Sequence, residues 1–247
     1  MQPSILENIH QSYKKVLSDI QASCISAQRD PNDVKLMLVS KTVPTEIIQA
    51  SFDWGHRLFG ENKIQELVQK KKDMAPTPID FHFIGHLQTN KVKECIRYAS
   101  AIDSVDRMNL VEELDRRLQA EGKSMDILVQ VNTSGEESKY GVAPELAMEL
   151  VRQISKYDTL NIKGLMTLAL FSSEAEKVRH CFKVLRELRD NIKNEGIPRV
   201  AMDELSMGMS SDYKIAIEEG STILRVGTAI YGARATPDSY YWPESKG

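Results

Sequence analysis

Lys41 stands at the end of the apolar run Val34-Lys35-Leu36-Met37-Leu38-Val39-Ser40, where packing alone gives no reason for a cation. Lysines are seldom fully buried. An amine held between apolar walls has its charged form destabilised, so it can be neutral and nucleophilic near pH 7, as a Schiff base with an aldehyde requires. A second group offers the complementary chemistry. Ser206-Met207-Gly208-Met209-Ser210-Ser211-Asp212 sets small hydroxyl side chains and backbone N–H groups ahead of a helix, which suits an anion. Leu224-Arg225-Val226-Gly227-Thr228-Ala229 adds a glycine that admits close backbone approach and a hydroxyl at Thr228.

The elements that must position these groups follow from hydrophobic period and breakers. Strand-like runs fall at residues 35–40, 57–60, 80–84, 101–105, 126–132, 162–169, 199–206 and 222–231. Helical spacing fills the gaps at 45–54, 63–73, 90–99, 107–120, 144–156, 174–194 and 211–219, several ending on glycine. Strands separated by helical crossovers pair in parallel. Eight such units predict an α/β fold, a single (β/α)₈ TIM barrel; a doubly wound open sheet is the alternative, without GxGxxG after any early strand.

Residues 4–28, with Ile5, Ile9, Val16, Ile20 and Ile25 as apolar face, form an opening helix that is expected to pack on the barrel and close its outer ring. The chain is expected to be one domain over residues 1–247. Residues 233–247 form a tail whose Tyr240, Tyr241 and Trp242 either dock or stay loose. In such a barrel the carboxyl ends of all strands share one mouth, and the loops after strands seven and eight hold phosphate. An amine at strand one facing a phosphate there outlines a small phosphorylated aldehyde, and pyridoxal phosphate (PLP) meets both demands.

Bulk properties exclude other classes. The net charge of -3, from 32 basic and 35 acidic residues, lacks the basic excess of a nucleic-acid partner. Cys24, Cys95 and Cys181 fit neither a disulfide framework nor a CxxC motif, so a reducing cytoplasm is the expected home. No segment reaches the apolar length of a membrane span, and the N-terminus lacks a signal-like pattern.

Plainer roles stay open for each motif. Lys41 can snorkel to solvent from a strand end, and Met207 and Met209 can be gap fillers in an ordinary turn. Arg225 can pair with a barrel carboxylate such as Glu204. His82 and His86, four apart across a strand and a loop, do not share a face, so metal binding is not expected. Lys70-Lys71-Lys72 reads as a solvated helix end.

The segments Leu38-Val39-Ser40-Lys41, Phe59-Gly60-Glu61-Asn62, Phe83-Ile84-Gly85-His86-Leu87-Gln88-Thr89-Asn90-Lys91, Val131-Asn132 and Gly164-Leu165-Met166-Thr167 carry a further reading, together with the runs at 206–212 and 225–232. On them the chain resembles the YggS/PROSC family of PLP-binding proteins over nearly its whole length. The resemblance implies a barrel like the cofactor domain of alanine racemase, with PLP carried as an aldimine on Lys41. It places Ser210, Gly227 and Thr228 around the phosphate with Ser206 nearby, and Arg225 against the pyridine nitrogen. Asn62, Met166 and His86 would line the mouth, and Lys139 falls where racemases keep an arginine near the phenolic oxygen. Thr42-Val43-Pro44 departs from the racemase pattern by lacking a tyrosine for the phosphate, which leaves more of that anchor to Ser210.

The implied role is intracellular vitamin B6 homeostasis by a monomer that holds PLP and passes it to apo-enzymes, without efficient turnover. A cation at the ring nitrogen makes a poorer electron sink, and the chain is expected to lack the second domain from which racemases bring their second base. The alternatives are a racemase-type PLP enzyme completed by dimerisation and a sugar-phosphate aldolase using Lys41 without cofactor.

Overall fold

A parallel strand covered on both faces is apolar almost throughout, and β1 (Lys35–Val39) is exposed only at Lys35. In the computed structural model, which describes residues 4–233, β1 is followed by β2 (Leu58–Glu61), β3 (Asp80–Phe83), β4 (Ala101–Val105), β5 (Met125–Gln130), β6 (Leu160–Met166), β7 (Val200–Ser206) and β8 (Ile223–Val226). They pair in parallel in chain order, and β8 returns to β1 with Leu38 opposite Val226, closing the barrel. The closed ring rules out the open sheet.

Alternation along the strands separates two apolar layers. Leu36, Leu38, Phe59, Phe81 and Phe83 face outward into the main core beneath the helices, whereas Met37, Leu128, Met166 and Ile223 meet inside the barrel. The covering helices are α1 (Ile5–Ser26), α2 (Thr45–Asp53), α3 (Ile64–Asp73), α4 (Val92–Tyr98), α5 (Met108–Glu121), α6 (Pro144–Ile154), α7 (Ala175–Asn194), α8 (Tyr213–Glu218) and α9 (Thr228–Tyr231). Most bounds lie within a few residues of the sequence reading.

Helix α1 begins in a reciprocal cap: Ser4 Oγ accepts the Glu7 N–H and the Glu7 carboxylate accepts that of Ser4. It packs beside α2, α8 and α9 and so completes the outer ring. Its buried stripe differs from the expected one. Ile9, Tyr13, Val16, Ile20 and Cys24 are buried, while Ile5 and Ile25 are 73% and 64% exposed. Ile25 lies about 100° around the helix from Cys24, outside the packed stripe.

Strand eight is shorter than expected. Its run ends at Val226, and the Gly227 carbonyl accepts the N–H groups of Ile230 and Tyr231, which turns Thr228–Tyr231 into a helix. The apolar segment Ala229-Ile230-Tyr231 reads equally well as strand because a short apolar run has no distinctive period.

A second correction concerns α3. Lys70 is 6% exposed and its ammonium lies 2.5 Å from Glu61 Oε1, while Lys71 donates to the Ile79 carbonyl; of the three lysines only Lys72 is exposed. The expected roles of Tyr240, Tyr241 and Trp242 fall outside the described residues. Among the described residues no helix is long and apolar enough to cross a membrane, and Cys24, Cys95 and Cys181 are buried and unpaired.

Candidate functional site

The closure of the barrel brings opposite ends of the chain to one rim. Lys41 is half-buried and lies two residues beyond β1, in step with Met37 and Val39 on that strand's inner face. Beside it runs the end of β8. A Cβ built on Gly227 would lie 3.1 Å from the Val39 carbonyl oxygen and 3.4 Å from its Cβ, so the two backbones meet with no side chain between them. Thr228 follows at once and is exposed.

Ser210 ties the two phosphate-type loops together. Its Oγ accepts the N–H of Gly227 at 3.3 Å and that of Ala229 at 3.2 Å, leaving its own O–H to donate. Asp212 Oδ1 accepts the Met209 N–H at 2.6 Å and shapes the preceding turn. Among the described residues no hydrogen bond takes up the backbone N–H of Ser211 or of Thr228. Since α8 spans only Tyr213–Glu218, the donors here come from loop backbone and hydroxyl groups rather than from the end of a long helix.

Below this rim Arg225 is 3% exposed. It donates to Ser206 Oγ at 2.7 Å and to the Thr167 carbonyl at 2.6 Å. Burial lowers its pKa to about 10, opposed by the carboxylates of Asp103 and Asp212, so it stays charged at neutral pH. Burial also raises the Asp212 pKa against the pull of the Met209 N–H, Arg225 and Lys139. The possible pairing of Arg225 with Glu204 does not occur. Glu204 bonds Lys35 at 2.7 Å, at the amino end of β1. Met166, the last residue of β6, is buried in the interior layer.

Across the mouth a cavity of about 290 Å³ is lined by residues including Asn62, Lys63, His86, Lys91 and Tyr140. Asn62 Oδ1 and His86 Nδ1 are buried there without hydrogen-bond partners among the described residues. The His86 ring stacks on Tyr140 at 3.9 Å, and burial, with the Arg107 charge, lowers its pKa. Lys139 is engaged by the Glu136 carboxylate at 2.5 Å and the Ala169 carbonyl at 2.8 Å. His82 instead bonds Asp103 at 3.0 Å, and no metal-type cluster occurs among the described residues. A larger hollow of about 480 Å³, lined by Lys35, Asp80, Lys163 and Glu204 among others, opens at the opposite end of the barrel.

The rim fits the phosphorylated aldehyde expected from the sequence: amides at 211 and 228 and the Ser210 hydroxyl are donors for an oxyanion, Gly227 leaves room beside them, and Asn62 offers an unmatched acceptor. Three contributors were not singled out in the sequence: Asp103, Thr167 and Tyr140. Asp103 carried a signal, the one charged residue on a short strand-like run, whereas the Thr167 carbonyl and the Tyr140 ring acquire their roles only through tertiary contacts.

Comparison with known proteins gives concordant results. Residues 20–235 match the family model described as "Alanine racemase, N-terminal domain". The pyridoxal phosphate homeostasis protein of Aquifex aeolicus is 41% identical over 227 residues, which span 92% of this chain and 99% of the relative. The structure of PipY from Synechococcus elongatus with PLP bound superposes with a TM-score of 0.77 at 32% identity, covering 87% of this chain and 100% of PipY. Alanine racemase of Clostridium difficile shares the fold, with a TM-score of 0.67 at 12% identity over 90% of this chain and 57% of the racemase.

Proposed function

The chain belongs to the family of the alanine racemase N-terminal domain and, within it, to the pyridoxal phosphate homeostasis proteins, and on that premise we propose that it binds PLP at the barrel mouth, with Lys41 as its Schiff-base lysine. The Ser210 hydroxyl and the amides of Ser211 and Thr228 hold the phosphate, and Gly227 lets it approach the backbone. Ser206 acts one step back, by fixing Arg225. Asn62 and Met166 line the pocket, and the His86–Tyr140 stack bounds its far side.

When bound, PLP supplies an aldehyde for attachment and a conjugated ring able to accept electron density. Arg225 bears on the second property. With two of its donors engaged and its charge retained at neutral pH, it can donate to a ring nitrogen but not accept from one. It therefore opposes protonation of that nitrogen, and the mouth is better suited to holding the cofactor than to stabilising carbanions. Holding PLP for transfer to apo-enzymes in the cytoplasm is the role this supports.

The observation that carries this reading is the apposition of Val39 and Gly227, which sets the amine-bearing strand end beside the oxyanion donors. Purified protein incubated with PLP should show a visible absorbance band and yield a pyridoxyl adduct on Lys41 after borohydride reduction. Lys41→Ala should lose the band while remaining folded; a surviving band would place the ligand on another lysine. In deuterated water, Cα–H exchange of L-amino acids should be negligible, and exchange at enzyme-like rates would favour a racemase-type activity instead.

A further inference from the structure

We propose that helix α3 sets the position of Lys41, through Glu66 and Lys70, which grip the backbone on either side of it; the inference rests on the assignment of Lys41 above. On the amino side, the Lys70 ammonium donates to the Ser40 carbonyl at 2.7 Å. On the carboxyl side, Glu66 Oε2 accepts the Thr42 N–H at 2.8 Å. Glu66 and Lys70 are one helical turn apart and lie 3.3 Å from each other, so the two grips are coupled. Behind them Glu61 Oε1 accepts from Lys70 at 2.5 Å and from Ser40 Oγ at 2.6 Å, with both side chains of the Lys70–Glu61 pair almost wholly buried.

Two features make this a positioning device rather than a stabilising one. A buried ion pair recovers little more than the cost of stripping water from its charges, and well-packed apolar residues often serve stability as well or better. Glu61 even leaves Oε2 without a partner among the described residues. The second feature is Thr42, which adopts φ 62°, a region costly for a β-branched residue. Its N–H is held by Glu66, and its hydroxyl donates to the Lys41 carbonyl at 2.6 Å. Helix α3 is itself anchored by Ile64 and Leu67, both buried in the main core. The path from core to Lys41 is thus continuous.

Glu66 is the residue to test, because its side chain is 26% exposed and its loss leaves the Lys70–Glu61 pair intact. The measurements are hydrogen exchange at the Thr42 amide in the apo-protein, and the rate at which Lys41 captures pyridoxal lacking the phosphate, trapped with borohydride. The probe reports on the lysine independently of the phosphate loops. Glu66→Ala should exchange faster at Thr42 and capture more slowly at Lys41, by about five- to tenfold each, the factor expected of one partly exposed hydrogen bond, with a melting temperature lowered by no more than about 4 °C. Glu66→Gln keeps an acceptor oxygen and should recover most of both. Equal capture rates in wild type and Glu66→Ala overturn the inference while leaving the PLP site standing. If the wild type itself captures nothing at Lys41, the assignment of that lysine falls and the inference with it.

Discussion

Arg225 illustrates how a single buried charge can organise a mouth. Its guanidinium joins the end of β7 through Ser206 to the segment after β6 through the Thr167 carbonyl, and it lies in the field of Asp103 and Asp212. Arg225→Ala would leave the Ser206 hydroxyl oxygen and the Thr167 carbonyl without their donor, which at about 1–3 kcal/mol each should cost roughly 2–6 kcal/mol; urea unfolding of the apo-protein measures it, and a loss under about 1 kcal/mol would mean that the interior is wet enough to replace the guanidinium. Residue type made Lys41, Ser210 and Arg225 legible in the sequence, since each is polar at the end of an apolar run. Their partners were not legible. Glu204 stands only two residues before Ser206 on β7, and its pairing with Lys35 at the amino end of β1 is what removes it from contention. Lys70 misled for the same reason: its partners, Glu61 and the Ser40 carbonyl, belong to β2 and the end of β1, which no helix pattern reveals.

Among the elements, the sheet depends on places where backbones nearly touch. Gly164 in β6 faces β7 so closely that a Cβ would lie 1.8 Å from the Glu204 carbonyl oxygen. Gly164→Ala should therefore cost about 3 kcal/mol or more, at the top of the range for overpacking, because backbone rather than a flexible side chain must yield. Gly122→Ala is the comparison: at φ 62° with nothing within 4 Å, it should cost about 1 kcal/mol from conformation alone. Melting curves of the two variants separate the causes, and equal losses would show that β6 and β7 can part without penalty. The order of strands and helices could be read from period and breakers, as could the use of α1 to complete the ring. Two details escaped. The turn from β8 into α9 depends on Gly227 backbone geometry, and the true stripe of α1 depends on which residues meet α2, α8 and α9.

For the whole molecule, stability against pH is shaped by two histidines of opposite sign, His56 buried and His82 partly so. His56 donates from Nε2 to the Leu58 carbonyl at 2.8 Å, so its Nδ1 is the acceptor for the Tyr13 hydroxyl at 3.3 Å, a contact that docks α1 on the barrel. Burial lowers its pKa to about 4 from 6.5. Between those values the unfolded chain takes up a proton that the folded chain refuses, so stability falls as pH drops through that window, by roughly 3 kcal/mol when complete. His82 behaves oppositely. Burial works against its charge, but Asp103 at 3.0 Å and Asp80 outweigh that and raise its pKa. Its contribution is fully present below 6.5 and is lost as pH rises through the raised value. Denaturant midpoints should accordingly decline on both sides of neutrality. His56→Gln, which can still donate and accept, should flatten the acid limb above pH 4, and His82→Gln should flatten the alkaline one. An acid limb that survives in His56→Gln would transfer that loss to another group, and α1 would then be held by its apolar stripe rather than by a neutral imidazole.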